Sequence, residues 1–149
     1  MALLALEPLL LARIEAAVPV ANLKVLSAAD LEGVTEAAQH CPAVHVVPYG
    51  LRLVEQDILI TPVETWLTVL AVHNVRSQQS GRDARGEAAS ILDTLFAALH
   101  GWQGEINGQR LKPLRPVTPP RAGFRAGFGY FPLAWEAQLP ALVTPCPTY

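Results

Sequence analysis

The stretch from Glu64 to Trp102 constrains the fold of this chain most, because a β-forming run is followed there by a helical one. Residues 64–73, ETWLTVLAVH, are rich in Val, Thr, Leu and Trp and contain no Gly or Pro, which is typical of a strand. Further on, apolar residues recur at spacings of three and four: Ala88, Ile91, Leu92, Leu95, Phe96 and Leu99. This period predicts a helix over Ala84–Leu99 that packs one apolar stripe on a sheet.

The ends of both elements carry their own signals. Asp83 fits the N-cap of the predicted helix, because a carboxylate can accept the free amides of the first turn. Gly101 fits the position after the helix, where the chain turns with a left-handed residue. A polar loop is predicted over Asn74–Asp83. Glu64, Thr65 and Thr68 interrupt the apolar run of the strand and suggest that it is only partly covered.

The rest of the chain divides into shorter predicted elements. They are helices over Pro8–Val18 and Ser27–Gln39, strands over Ala43–Val47 and Leu51–Ile60, an edge strand in 111–117, a final strand over Phe128–Gln138 and an irregular tail over 140–149. Residues 22–26 can form a short strand or a link, and 118–127 reads as a loop. Pro48–Gly50 predicts a turn, Pro62 a break between strands, and Asn107–Gly108 a two-residue hairpin turn.

The order of these elements is α-α-β-β-β-α-β-β. Helices and strands do not alternate regularly, which favours the α+β class over a doubly wound sheet. We therefore expect a mostly antiparallel sheet packed on one face by helices. A length of 149 residues fits one domain, 1–149, and no internal repeat is present.

Charge is distributed unevenly along the chain. Residues 1–74 carry three Lys/Arg against eight Asp/Glu, a net −5, and residues 75–149 carry eight against five, a net +3. The sum of −2 does not suit a protein that binds nucleic acid through its overall charge. The two halves can simply be solvated, or they can suit head-to-tail self-association, in which one surface meets a different surface of the next copy.

Cysteine use and hydropathy bear on the compartment. Cys41 and Cys146 are far apart and form no metal or redox motif, so a reduced intracellular protein is the simplest interpretation. The apolar N-terminus lacks a basic segment and is split by Glu7-Pro8, unlike a signal peptide. No apolar run approaches the roughly 18–20 residues of a membrane-spanning helix. We expect a protein that is neither exported nor bound to a membrane.

Catalytic signatures are scarce. His45, His73 and Cys41 could supply three ligands of a zinc site in a small metal-binding hydrolase, if the two histidines are neighbours across the sheet. Buried structural side chains are the competing interpretation of all three. Neither a serine-nucleophile motif nor a phosphate-binding loop is present.

One basic stretch contains aromatic residues. Its members are Arg110, Lys112, Arg115, Arg121 and Arg125, with Phe124 and Phe128 among them. Such a mixture can follow a nucleic-acid backbone. The prolines spread the charges apart, however, which favours a solvated face or a subunit contact over nucleic-acid binding.

The order and spacing of several segments resemble the tail terminator proteins of long-tailed bacteriophages and prophages. The matching residues lie within about 40–136: Pro42–Pro48 (PAVHVVP), Thr68–Asn74 (TVLAVHN), Gly81–Arg85 (GRDAR), Leu99–Trp102 (LHGW), Leu111–Leu114 (LKPL) and Gly129–Trp135 (GYFPLAW). Residues 1–40 have no specific counterpart.

The resemblance implies a structural role. Members are small α+β proteins that form a ring, commonly a hexamer, on the last turn of the tail tube, where they stop its growth and offer a surface to the head connector. It implies three partners, namely other copies of the chain, the tail tube protein and the head-completion protein. No cofactor, membrane or sequence-specific nucleic acid is implied. The places of action would be the host cytoplasm during assembly and then the virion tail. Another head–tail completion protein is the alternative.

No interface residues carry over from the family. From their place before the predicted helix, Arg76, Arg82, Asp83 and Arg85 are our candidates for subunit or tube contacts, because long polar loops often serve contact.

Overall fold

A computed structural model describes residues 3–36, 42–73, 78–125 and 127–143. The helices are α1 (Leu6–Ala17), α2 (Leu31–Glu36) and α3 (Gln78–Leu99). The strands are β1 (Lys24–Ser27), β2 (Ala43–Gln56), β3 (Leu59–His73), β4 (Glu105–Ile106), β5 (Gln109–Arg110), β6 (Arg115–Val117), β7 (Gly123–Arg125), β8 (Phe128–Gln138) and β9 (Leu142–Val143). The α+β class and the predicted order are confirmed.

Seven of the strands form one sheet in the order β1-β2-β3-β8-β6, with β7 beside β8 and β9 beside β3. Every pairing is antiparallel except that of β1 with β2. The centre of the sheet is β3, which pairs with β2 along nearly all its length and with β8 from Val63 to His73. The segment predicted as a strand, residues 64–73, therefore lies between two long strands, β2 and β8.

The first face of the sheet carries Val44, Trp66, Leu70 and Trp135 and is covered by α1 and α3. Buried residues on the two helices complete this core: Leu6, Leu10, Ile14, Ala88, Ile91, Leu95 and Leu99. The predicted stripe of α3 is thus confirmed, except that Phe96 lies at its margin and is 38% exposed. Arg13 Nε donates to the carbonyl oxygen of Ala98 at 3.0 Å and ties α1 to the end of α3.

The start of α3 differs from the prediction. The helix begins at Gln78, so Asp83 lies inside it and is not its N-cap, and the predicted polar loop through Asp83 is too long. Residues 78–83 contain no apolar residue, and the period that defines the helical stripe begins only at Ala88. The other end is confirmed, since α3 stops at Leu99 and Gly101 adopts a φ of 76°.

The second face carries Val47, Leu67, Val69 and Tyr130 and has a smaller core, against which Val34 of α2 packs. The helix α2 begins at Leu31, later than the predicted start at Ser27, and Asp30 caps it by accepting the Gly33 amide at 2.7 Å. Residues 37–39 of the predicted helix lie outside the described residues.

Several predicted details of the second half are confirmed. Asn107 and Gly108 both have positive φ, 53° and 77°, and form the two-residue turn between β4 and β5. Pro116 lies in β6, an edge strand, where a missing amide is tolerated. The strand β8 spans the predicted range. Two predictions for this half are wrong, because distant strands supply partners there: the predicted loop 118–127 contains β7, which pairs with β8, and the segment predicted as an irregular tail contains β9, which pairs with β3.

None of the helices that the structure describes combines the length and apolar character needed to cross a bilayer.

Candidate assembly surface

The most prominent surface feature is a hairpin arm, residues 48–62, in which β2 and β3 extend beyond the part of the sheet that the helices cover. The turn that joins the two strands is Asp57-Ile58, with Asp57 at a φ of 55°. Before Pro48 all five residues of β2 are buried, whereas nearly all later ones are exposed. The arm therefore projects from the folded core.

Two predicted breaks lie within this arm. Pro48–Gly50 is not a turn but a β-bulge, because Pro48 pairs with Trp66 and Gly50 with Thr65, which leaves Tyr49 as the extra residue. Pro62 does not separate strands, since it lies inside β3 opposite Leu53. On its other side β3 pairs with β9 up to Ile60 and with β8 from Val63, so a residue without an amide hydrogen breaks no ladder there.

The arm concentrates exposed apolar side chains. Of the ten large hydrophobic residues that the described structure leaves exposed, six lie on it: Tyr49 (54%), Leu51 (52%), Leu53 (54%), Val54 (41%), Ile58 (61%) and Leu59 (42%). Scattered exposed apolar residues are normal on a monomer, but here they are concentrated on one projection, with Leu51 and Leu53 on the first face and Val54 and Leu59 on the second. The arm is consequently the strongest candidate for contact with another protein.

The base of the arm is fixed on the first face by Glu64. This side chain is 3% exposed, accepts the Leu4 amide at 3.0 Å and lies 3.4 Å from the indole nitrogen of Trp66. One carboxylate thus joins the N-terminal segment to the sheet. The expectation that Glu64, Thr65 and Thr68 reflect partial cover of the strand is wrong for Glu64 and Thr68, because both are buried and hydrogen-bonded, whereas Thr65 is half-buried.

The base of the arm is fixed on the second face by Glu136. Its carboxylate accepts hydrogen bonds from Arg52 of the arm and, at 3.1 Å, from Arg115 of the edge strand. Burial acts to raise the pKa of Glu136, but the hydrogen bonds and charges of the two arginines outweigh it, and the pKa lies below its usual value. Both guanidinium groups remain largely exposed, so this is a surface cluster.

The candidate contact residues chosen from the sequence lie away from the arm. Arg82 and Arg85 are exposed and three residues apart on α3, hence on neighbouring positions of its surface. Asp83 lies in the same helix, but its side chain is outside the described residues, as is the whole of Arg76. Whether these four make contacts stays a prediction.

The predicted histidine pair is not brought together. His45 is buried opposite Val69, whereas His73 lies four residues further along β3, roughly 13 Å away at the usual rise of a strand. Burial lowers the pKa of His45. Cys41 lies outside the described residues. Among those that are described, no group of three His, Cys, Asp or Glu could hold a metal ion.

The basic stretch is spread over the fold. Arg110 lies on the small β4-β5 sheet, Arg115 binds Glu136, and Arg121 lies beside a groove on the second face. The side chain of Arg125 is outside the described residues. The stretch therefore forms several local surfaces.

Sequence reasoning missed the arm as a site. A signal was present, since apolar residues flank Gln56-Asp57 closely on both sides, in LRLVEQ and ILIT. Two strands of such composition joined by two residues predict one long hairpin, and its length beyond the helices was not foreseeable.

Comparison with known proteins places the chain among phage proteins. A chain of the solved structure described as "Virion of native gene transfer agent (GTA) particle" aligns with it at a TM-score of 0.45 and 16% identity, covering 91% of this chain and 87% of that one. No curated protein matches. The profile of the family described as phage tail terminator protein matches residues 1–141, nearly the whole sequence. This chain therefore belongs to the phage tail terminator protein family.

Proposed function

We propose that the chain assembles head to tail into a ring that caps the tail tube. In the family that the sequence resembles, such a ring commonly contains six copies. The ring stops growth of the tube and offers a surface to the head-completion protein. Its partners are other copies of itself, the tail tube protein and the connector. Assembly takes place in the host cytoplasm and the product remains in the virion tail. The proposal involves no catalysis and no cofactor.

The observation that carries the self-association is the hairpin arm. Burying apolar surface drives association, and the arm carries six exposed large apolar side chains, spread over both of its faces, that an isolated chain leaves in water. The arm is anchored at its base by Glu64 and Glu136, so it is presented to a partner as a shaped surface. The arm then loses little conformational entropy when it binds a partner.

Charge supports the same arrangement. Exposed acidic side chains, Glu55 and Asp57, lie at the tip of the arm, and exposed arginines, Arg82 and Arg85, lie on α3, so each copy carries separate sites of opposite sign. In a head-to-tail ring every subunit meets its neighbours through two different surfaces, and opposite signs favour the correct pairing. Within this proposal Arg82 and Arg85, with Arg76 and Asp83, contribute contacts to a neighbouring subunit or to the tube.

The test is the capping of purified, growing tail tubes. Added protein should arrest elongation at a fixed length, and light scattering behind a sizing column should give the mass of a discrete oligomer, alone or on short tubes. Tubes that elongate at the same rate with and without the protein would contradict the proposal, whereas another completion protein would bind without arresting growth.

Charge reversal tests the contribution of α3. Arg82→Glu with Arg85→Glu should weaken assembly and leave the circular dichroism spectrum and unfolding midpoint of the monomer unchanged. Arg110→Glu, at an exposed arginine of the separate β4-β5 sheet, is the matched control. Unchanged assembly of the double variant would remove these residues from the interface without affecting the ring itself.

A further inference from the structure

The second face of the sheet carries an open groove between α2 and the segment 120–123. Its floor is Val69, Tyr130 and Pro132, and its volume is about 260 Å³. This is slightly below the roughly 300–1,000 Å³ of small-molecule pockets. The groove stays open partly because Gly123 has no side chain, and a Cβ added there would meet nothing within 4 Å.

The lining of the groove is apolar with one charge. Leu31 and Val34 of α2 form one wall, and Arg121 is the only charged residue among the described residues that line it. Arg121 is exposed, so its guanidinium lies at the rim. The groove therefore suits a small apolar side chain that has acidic groups beside it.

The tip of the hairpin arm has this composition. Ile58 is the most exposed of the large apolar residues, at 61%, and it stands in the turn. Glu55 and Asp57 lie within three residues of it, and residues 53–62, all of them described, contain no Lys or Arg. The tip thus offers an apolar side chain in an acidic setting.

The tip cannot reach the groove of its own chain. Along β3, Leu59 at the tip and Val69 in the groove floor are ten residues apart, or roughly 33 Å for an extended strand. A tip that fills this groove must come from a second copy. Because tip and groove are different surfaces, such a contact repeats in one direction and closes into a ring when the rotation allows.

We propose that the tip of the arm of one copy inserts Ile58 into the groove between α2 and segment 120–123 of the next copy. Glu55 and Asp57 of the tip then lie beside Arg121 of the groove, which fixes the direction of the contact. This inference rests on the proposed ring and names the two surfaces that join its subunits.

Cysteine cross-linking tests the contact directly. In a background with Cys41→Ser and Cys146→Ser, copies carrying Ile58→Cys are mixed with copies carrying Gly123→Cys and oxidised mildly. A covalent dimer should form only in the mixture, and one chain carrying both cysteines should give a ladder that stops at the ring size. Ile58→Cys mixed with Gln109→Cys, at an exposed position on the β4-β5 sheet, is the control that should not cross-link.

A variant whose side chain fills the groove tests the same contact without cross-linking. Gly123→Leu places a side chain in open space and lies opposite Tyr130, on the second face, so the monomer should fold normally. It should weaken self-association at least tenfold, because the central apolar anchor of an interface is lost. Glu55→Arg, which leaves the left-handed turn residue Asp57 in place, and Arg121→Glu should each weaken association about fivefold, and their combination should restore it.

The outcomes separate this contact from the ring. Cross-linking between Ile58→Cys and Gly123→Cys, with loss of assembly in Gly123→Leu, supports it. A ring of normal mass that does not cross-link and tolerates Gly123→Leu overturns this contact and leaves the ring standing. A tip that cross-links to the tube or head protein instead also overturns it. Failure to form any oligomer, free or on tube ends, overturns both proposals. The experiments are run on the free protein and on capped tubes.

Discussion

The indole N–H of Trp135 donates a hydrogen bond of 3.0 Å to the hydroxyl of Thr68 between two central strands of the sheet. Both residues are fully buried. Trp135 lies directly opposite Trp66, so Thr68 is its diagonal neighbour on the same face. A tryptophan in a core requires a partner for its indole N–H, and Thr68 supplies it within the otherwise apolar run Trp66–Val72 of β3.

Thr68→Val should lower the free energy of unfolding by about 1–3 kcal/mol, because it leaves the buried indole N–H without an acceptor while keeping the shape of the side chain. Urea denaturation followed by tryptophan fluorescence measures this. Thr68→Ser retains the hydroxyl and should restore part of the loss. Equal stability of the Val variant and the wild type would show that the bond contributes nothing net.

Glu64→Gln should loosen the N-terminal segment. The carboxylate accepts from the Leu4 amide and lies near the Trp66 indole, whereas an amide side chain has one acceptor oxygen and would turn a donor toward one of these groups. Hydrogen bonds to charged groups contribute about 1.5–3 kcal/mol, so exchange of the Leu4 amide should accelerate roughly tenfold or more. Hydrogen exchange measured by NMR checks this, with the exposed Glu55→Gln as control.

The cluster of Glu136 with Arg52 and Arg115 makes a small, acid-sensitive contribution to the free energy of unfolding. Since the folded-state pKa of Glu136 is lowered by Arg52 and Arg115, its stabilisation is present above the ordinary value of 4.5 and is lost as pH falls through the folded pKa. Each exposed pair is worth about 0.2–1 kcal/mol, so the whole effect is modest.

An NMR titration of the Glu136 carboxyl carbon should give a pKa below 4.5 in the wild type. In the variant with Arg52→Gln and Arg115→Gln the pKa should rise, because burial then acts without opposing charges. An unchanged pKa in that variant would show that the two arginines do not set it.

Elements that are determined by the local hydrophobic period or by turn chemistry can be predicted from the sequence. The stripe of α3, the Asn107-Gly108 turn and the alternation of β8, in which Tyr130 faces one side and Trp135 the other, all follow from spacing. Each depends on neighbours within a few residues. Tertiary context is not required to read them.

The misread elements depend on distant partners. The polar Glu64 suggests exposure in the sequence, yet its partner Leu4 is sixty residues away in the chain. Pro62 predicts a break in the strand, yet β9 and β8 leave a gap in the ladder beside it. The groove at Gly123 is made by α2 and a segment nearly ninety residues later, which no local pattern reveals.

The apolar arm gives the last prediction, for the variant Leu51→Ser with Leu53→Ser. Each leucine is about half exposed, so the monomer should lose little stability, within roughly 0.5 kcal/mol per site. If a neighbouring subunit buries the exposed halves, each leucine contributes about 1 kcal/mol to the contact. The double variant should therefore associate roughly 30-fold more weakly than the wild type. Light scattering over a dilution series measures that change.

Leu26→Ser, at a 41% exposed leucine on the edge strand β1, is the matched control and should assemble normally. Because the proposed ring depends on burial of the arm, wild-type assembly by the double variant would place the subunit contacts elsewhere on the molecule.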